Sequence, residues 1–198
     1  MVHPNELITR VPLTKSCGPF GNGVDQVVRR WFNRNLGLWR SHRRFDFSDG
    51  STVSMDTMLR IESFEDPLKG DSCYRFRWWP VRKDTPFSQD SPYATAGTME
   101  AYLIGHQLYR SRGYFCGSPT RSHIRQVDEQ EVVFESHYME WDILEHIRLV
   151  DDARYRARSI YSWQNSTLTL VEVHHEVRED PAADEAAQAA TSRDGAGS

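Results

Sequence analysis

The sequence lacks most of the features by which enzymes are recognised. It contains only three cysteines in 198 residues, Cys17, Cys73 and Cys116. An odd number at wide spacing predicts neither a disulfide framework nor a metal site. There is also no glycine-rich phosphate loop, no nucleophile elbow and no His-Glu-x-x-His zinc helix. We therefore expect no metal and no permanent cofactor, and chemistry limited to acid–base reactions and ion pairing.

Long apolar runs and an excess of basic charge are also missing. No stretch approaches the length needed to span a membrane, and the N-terminus has no apolar core of the signal-peptide type. The chain has 24 basic and 28 acidic residues, of which one arginine and five acids lie in residues 179–198. Residues 1–178 therefore hold 24 − 1 = 23 basic and 28 − 5 = 23 acidic residues. This predicts a soluble, intracellular protein that binds neither nucleic acid nor membrane.

Composition divides the chain into three parts. Residues 1–23 contain three prolines and the turn Gly21-Asn22-Gly23, which is typical of an N-terminal extension. Residues 24–178 carry the periodic apolar patterns of one folded domain. Residues 179–198 consist largely of Ala, Asp, Glu, Gly and Ser, and this composition predicts a disordered acidic tail.

One helix is predicted at the start of the domain. Apolar residues spaced at i, i+3, i+4 and i+7 form a single stripe that begins near Val24 and ends before Gly37. Three arginines lie off this stripe: Arg29, Arg30 and Arg34. They are interpreted either as a solvated helix face or as a docking surface for an acidic partner.

About ten short strands follow the helix. They are separated by tight turns and rich in aromatic residues, since the chain has six Trp, eight Tyr and nine Phe. Such a series predicts a mainly β protein, a lipocalin-like up-and-down antiparallel barrel that holds one ligand. The strands are expected at about 39–47, 51–63, 73–82, 97–104, 106–115, 119–127, 131–138, 143–150, 153–163 and from 167 onward.

The last three strands carry an ordered pattern of charges. A two-residue turn at Asp151-Asp152 places Glu145 opposite Arg158. A three-residue turn through 164–166 then pairs Arg158 with Glu172, Arg156 with His174 and Arg154 with Glu176. Because side chains alternate between faces, all seven share one face with Ile147, Leu149, Ile160, Leu168 and Leu170. His174 and His175 lie on opposite faces, so they cannot both bind one metal ion.

This charged face has two interpretations. It forms the outer wall of the barrel, with weak ion pairs in water, or it lines a cavity. In the cavity the arginines would bind a large ligand with acidic groups. A barrel that carries fatty or aromatic ligands would have a mostly apolar lining instead. A barrel that serves only as an interaction module would bind no ligand.

Three stretches together resemble the S/U-type (CpcS/CpeS-like) phycobiliprotein lyases, over about residues 24–178. Trp31-Phe32 with Leu38–Arg43 is similar to the opening helix and first strand of that family. Leu108–Tyr114, with the sequence LYRSRGY, is similar to its central Tyr-Arg-x-Arg-Gly segment. Glu145, the run Arg154–Arg158 and the run His174–Arg178 are similar to its closing strands.

The resemblance implies a function and a site. The substrate would be a bilin, phycoerythrobilin or phycocyanobilin, which is attached to a cysteine of a phycobiliprotein α or β subunit. The roles implied for the catalytic residues are that Glu145 binds the pyrrole nitrogens and that Arg156 pairs with a propionate or with Glu145. The remaining bilin-binding residues would be Arg154, Arg158, Glu176 and Trp78, with Trp79 the alternative to Trp78.

The resemblance also implies partners and a location. The chain would act as a homodimer or as one half of a lyase heterodimer, in the cyanobacterial cytosol or the plastid stroma. No cysteine of the chain itself is needed, because the attacking thiol belongs to the acceptor. The main alternative is a non-catalytic bilin or tetrapyrrole carrier with the same barrel.

Overall fold

The computed structural model describes residues 26–66, 68, 72–82 and 96–179. This part of the chain consists of one helix, α1, and ten strands. The predicted N-terminal extension and nearly all of the predicted acidic tail lie outside these residues. The elements are α1 Gln26–Arg34, β1 Gly37–Phe47, β2 Thr52–Phe64, β3 Ser72–Pro80, β4 Gly97–Ile104, β5 Gln107–Arg110, β6 Thr120–Gln126, β7 Glu131–Tyr138, β8 Trp141–Val150, β9 Tyr155–Gln164 and β10 Thr167–Glu179.

The ten strands form a closed barrel. Each strand pairs antiparallel with the next in the chain, and β10 closes the barrel by pairing with β1. Closure leaves no strand of the barrel with an unpaired edge, which removes the main route to aggregation of a β-sheet. The prediction of a ten-stranded, lipocalin-like, up-and-down barrel with a helix before it is confirmed.

Helix α1 covers one end of the barrel. Val28, Trp31 and Phe32 are spaced at i, i+3 and i+4, and all three are buried among the inward side chains of the strands. The Phe32 ring lies 4.8 Å from the ring of Tyr74 on β3, measured between centroids. The indole nitrogen of Trp31 donates to the carbonyl of Gln130 at 2.9 Å. The start predicted near Val24 lies outside the described residues.

Arg178 fastens the end of the helix to the barrel. Its guanidinium donates to the carbonyls of Arg34, Leu36 and Ala153. It also lies over the ring of Trp39, at 4.4 Å from the ring centre. The Arg34 carbonyl is at the end of the helix, where the last carbonyl groups have no partner within the helix, and the Ala153 carbonyl belongs to the β8–β9 turn.

The β8–β9 turn differs from the predicted one. It has four residues, 151–154, and the first three adopt the left-handed conformation, with φ of 50°, 49° and 63°. Ala153 is buried in the core, and its carbonyl accepts the bond from Arg178. This long-range contact explains why the turn is longer than a two-residue hairpin. Glu145 therefore lies opposite Ile160 instead of Arg158.

The β9–β10 connection also differs. Its turn is the two-residue Asn165-Ser166, with both residues in the left-handed conformation that such hairpins require. A bulge then falls between Leu168 and Leu170. The shorter turn and the bulge together shift the pairing of β9 with β10 by two residues from the predicted one. Arg158 therefore lies opposite His174, and Arg156 lies opposite Glu176.

Both shifts are even, and an even shift preserves the face on which each side chain lies. Most of the residues predicted to share one face therefore do so, and the face points into the barrel. Two predicted members do not. Arg154 lies in the exposed β8–β9 turn, and Leu168 lies before the bulge with 42 % of its surface exposed. The interpretation of this face as an outer wall is wrong.

Candidate functional site

A cavity lies inside the barrel, next to the core that packs under helix α1. One part of its wall is aromatic and aliphatic, and another part is made of charged side chains from β1, β5, β8, β9 and β10. Such a combination is typical of a site that orients a large apolar ligand through a few polar groups. The aromatic side chains that line it are Trp31, Phe32, Phe45, Phe76, Trp78, Tyr114, Phe115 and Phe134.

Glu145 on β8 is the centre of the charged wall. The residue is only 2 % exposed. Its Oε2 accepts from Arg110 at 3.1 Å and from the hydroxyl of Tyr114, and its Oε1 forms an ion pair with Arg158. A buried carboxylate requires such compensation, because its removal from water is costly. Glu145 is therefore an ionic anchor with a cation on either side.

Arg156 on β9 forms a second ion pair, with Glu176 on β10. Its guanidinium also donates to the Asn35 side chain at 3.0 Å and lies 4.7 Å from the ring centre of Trp39. Burial would raise the pKa of Glu176, but the pairing with Arg156 outweighs it, and the pKa is lowered. Arg156 borders the cavity, whereas Glu176 is buried behind it.

A third group joins Arg43 on β1 with Glu172 and His174 on β10. His174 Nε2 lies 3.0 Å from Glu172 Oε2. Burial raises the pKa of Glu172 to about 7 and lowers the pKa of His174 well below its ordinary value. Burial, with the charge of Arg158 nearby, lowers the pKa of Arg43 to about 10. The histidine is therefore neutral at physiological pH, and the glutamate is only partly ionised.

The charges at this cavity do not balance. Five arginines line it, whereas the acidic side chains in and behind the charged wall are Glu145, Glu172 and Glu176. Since Glu172 is only partly ionised near neutrality, these eight side chains together carry an excess of between two and three positive charges. Such an excess favours a ligand with two negative groups. The five arginines are Arg43, Arg110, Arg112, Arg156 and Arg158.

The segment 111–119 contributes to the lining of the cavity, where a longer β5 strand was predicted. The predicted strand over 106–115 ends at Arg110, and Gly113, Tyr114 and Phe115 then line the cavity. The Tyr138 hydroxyl accepts from the backbone N–H groups of Tyr114 and Phe115, at 3.1 and 3.2 Å. These bonds hold the segment where the Tyr114 hydroxyl reaches Glu145.

Trp78 occupies the wall opposite the ion pairs. It lies across from Leu59 on β2 and Gly97 on β4, and it borders the cavity. Its ring lies over Gly97 so closely that a β-carbon there would come within 2.6 Å of it. The guanidinium of Arg112 lies 5.7 Å from its ring centre. Trp79 lies on the other face of the strand.

The structure brings together most of the residues named from the sequence. Glu145, Arg156, Arg158 and Trp78 border the cavity, and Glu176 is buried behind Arg156. Arg154 does not take part, because it is exposed in a turn with its guanidinium over the Tyr155 ring. The structure places Arg154 outside the cavity, so the prediction that its side chain belongs to the site is wrong.

Six ionisable side chains at the cavity were given no role from the sequence. Five of them lie in the motifs that carry the family resemblance, so their position in those motifs was an available signal. Glu172 lies outside the motifs and shares the predicted charged face with His174, but the proximity of both to Arg43 required the closure of the barrel. The six are Arg43, Arg110, Arg112, Tyr114, Glu172 and His174.

Solved structures share this architecture. The S-type phycobiliprotein lyase CPES from Guillardia theta superposes with a TM-score of 0.60 and 16 % identity, covering 77 % of this chain and 93 % of that one. The chain has the fold of an S-type phycobiliprotein lyase. This confirms at the level of fold the resemblance seen in the sequence.

A second similar structure is a protein of unknown function of the DUF3598 family from Nostoc punctiforme. Its TM-score is 0.52 at 14 % identity, over 74 % of this chain and 48 % of that one. No family model and no curated protein matches the sequence. Within the described residues, no helix is both long and apolar enough to cross a membrane.

Proposed function

We propose that the protein is a phycobiliprotein lyase that binds a bilin in its barrel without a covalent bond and delivers it to a cysteine of a phycobiliprotein subunit. The observation that supports this most is the excess of arginine in a cavity with aromatic walls. A bilin has two propionates, an extended conjugated system and pyrrole nitrogens. Each of these groups has a complementary feature in the cavity.

The acidic end of the ligand would face the arginines. Arg43 and Arg158 are well placed to bind a propionate, because both line the cavity on either side of β10, and Arg158 would then share its guanidinium between Glu145 and the ligand. A guanidinium binds a carboxylate through two parallel hydrogen bonds and so fixes its orientation as well as its position. Two propionates held in this way would set the direction of the whole tetrapyrrole.

Glu145 would bind the pyrrole nitrogens. Its carboxylate is held by Arg110 and Arg158, and the Tyr114 hydroxyl can be exchanged for a pyrrole N–H donor of the ligand. A carboxylate at this position stabilises a protonated tetrapyrrole, and the positive charge makes the ethylidene group of ring A more electrophilic. The aromatic wall with Trp78 would contact the faces of the rings.

The covalent step needs no oxidant and no cysteine of this chain. The acceptor thiol adds across the ethylidene double bond, so that a carbon–sulfur bond forms at the side-chain carbon. The thiol hydrogen ends on the ring carbon at the other end of that bond. The contribution of the lyase would be orientation, since a rigidly held bilin exposes one face of one double bond to the thiol.

Arg154 and Arg158 lie close together in the sequence but in different surroundings, and they provide a test of ligand binding. Arg158→Ala removes a guanidinium of the cavity, whereas Arg154→Ala removes one from the exposed turn. Loss of a hydrogen-bonded charge predicts an affinity for phycocyanobilin lower by about tenfold to a hundredfold in the first variant. The second should bind as the wild type does. Equal affinity of both variants and the wild type would contradict the proposed site.

Co-expression with phycobiliprotein α or β subunits and a bilin source tests the transfer. A subunit whose pigment remains attached in acidic urea shows a thioether. A carrier would instead bind the bilin, shift its absorption and leave no adduct. Glu145→Gln should lower the yield of adduct while the isolated variant remains folded, and an undiminished yield would contradict the role of Glu145.

A further inference from the structure

Glu172 is a buried carboxyl group to which the proposed reaction assigns no role. It borders the cavity from β10, with 6 % of its surface exposed. Both Arg43 of β1 and Arg158 of β9 lie directly opposite His174, two residues further along β10. Glu172 is therefore a diagonal neighbour of both arginines on the same face, and long side chains reach across that distance.

His174 allows Glu172 to hold or release a proton without losing its hydrogen bond. The histidine is neutral, because burial and the nearby arginines lower its pKa well below the ordinary value. A neutral imidazole nitrogen either donates to a carboxylate or accepts from a carboxylic acid. The 3.0 Å contact between His174 and Glu172 is therefore compatible with both charge states of the glutamate.

Titratable groups on five strands surround Glu172. Burial raises the pKa of Glu172, the cations Arg158 and Arg43 lower it, and the anion Glu145 on β8 raises it further. His174 on β10 is neutral, and so is Tyr138 on β7, because burial raises its phenol pKa. The balance leaves the pKa of Glu172 at about 7, so both forms are populated near neutrality.

We propose that Glu172 is an internal counter-ion of Arg43 and Arg158 that a carboxylate of the ligand displaces, and that Glu172 takes up a proton from the solvent as it is displaced. This rests on the proposed function, because it requires a ligand with carboxylates. When two carboxylates share one buried site, their repulsion strongly raises the pKa of one of them. The proton on Glu172 removes that repulsion.

The inference has a numerical consequence. If Glu172 has a pKa of about 7 when free and remains protonated in the complex, binding takes up about half a proton at pH 7 and about 0.9 at pH 8. The affinity then falls roughly tenfold between pH 6 and pH 8, because only the protonated form of the free protein leaves the arginines available.

Biliverdin, an open-chain tetrapyrrole with two propionates, is a suitable probe. Its affinity is measured by absorption at pH 6, 7 and 8 for the wild type, for Glu172→Gln and for Glu62→Gln. The third variant is a matched control, since Glu62 pairs with Arg77 at the barrel surface. We expect the roughly tenfold loss in the wild type and in Glu62→Gln, and a flat profile in Glu172→Gln. Parallel profiles for all three proteins would overturn the inference.

Calorimetry on the wild type alone provides an independent measurement if Glu172→Gln fails to fold. Binding enthalpies in phosphate and in Tris at pH 8 differ in proportion to the protons taken up. An uptake of about 0.9 supports the inference. Tight binding with no uptake contradicts it but leaves the proposed function intact, whereas no binding at any pH contradicts both. Biliverdin dimethyl ester should bind without proton uptake, because it has no carboxylate to displace Glu172.

Discussion

Replacement of Glu145 by Gln isolates the buried negative charge on which the cavity depends. The amide has nearly the same shape, so the change removes the charge and little else. Arg110 and Arg158 both contact this carboxylate, and the Arg110 and Glu145 side chains are 6 % and 2 % exposed. The variant therefore leaves one buried and one partly buried guanidinium group without their anionic partner.

The expected cost follows from this burial. Breaking a buried ion pair by removal of one partner costs about 3–5 kcal/mol, because the remaining charge is uncompensated. Because Arg158 is 16 % exposed and Gln can still accept one hydrogen bond, we expect the lower end, about 3 kcal/mol. For a folded domain of this size, that corresponds to a melting temperature lower by about 6–12 °C.

Circular dichroism during thermal unfolding measures this effect. The matched control is Glu62→Gln, which breaks the exposed pair with Arg77 and should cost less than about 1 kcal/mol. A dicarboxylic tetrapyrrole should restore part of the lost stability of Glu145→Gln, because its propionates compensate the arginines. If both variants melt at the same temperature, the assignment of Glu145 as the ionic anchor is refuted.

Three further predictions concern the groups around the cavity. Arg178→Met should lower the free energy of unfolding by about 2–4 kcal/mol in urea titrations, because three main-chain carbonyls lose their donor. An unchanged free energy would contradict the role of Arg178 in anchoring the helix. Gly97→Val should displace the Trp78 ring and broaden the bilin absorption band, whereas an unchanged spectrum would show that this ring does not contact the pigment. Tyr138→Phe should speed hydrogen exchange at residues 114 and 115, since their N–H groups lose a common acceptor. Equal protection in the variant and the wild type would show that Tyr138 does not hold the segment 111–119 in place.

The closing-strand motifs were informative about the site because they place charged residues at alternating positions of predicted strands. Glu145, Arg156 and Arg158 lie on strands whose alternation is visible in the sequence, and alternation fixes which side chains share a face. An error of two residues in register does not change that face. For this reason most members of the charged face were predicted correctly, with Arg154 and Leu168 the exceptions, even though both hairpin turns were assigned the wrong length.

Arg154 shows where this reasoning fails. Its place in the Arg-x-Arg-x-Arg pattern continues the alternation of β9, but the strand begins only at Tyr155. The turn is extended because Ala153 packs into the core and accepts a bond from Arg178, which is 25 residues away. No local pattern contains such a contact.

The sequence by itself determined the fold class, the number of strands, the helix and most of the membership of the charged face. These depend on periodicity and turn chemistry, which act over a few residues. Only the tertiary structure decided that this face is the interior, because that depends on how ten strands close. Closure also brings Arg43 of the first strand beside Glu172 and His174 of the last. Their charges influence one another through the buried interior, and so the pKa of Glu172 is a property of the closed barrel.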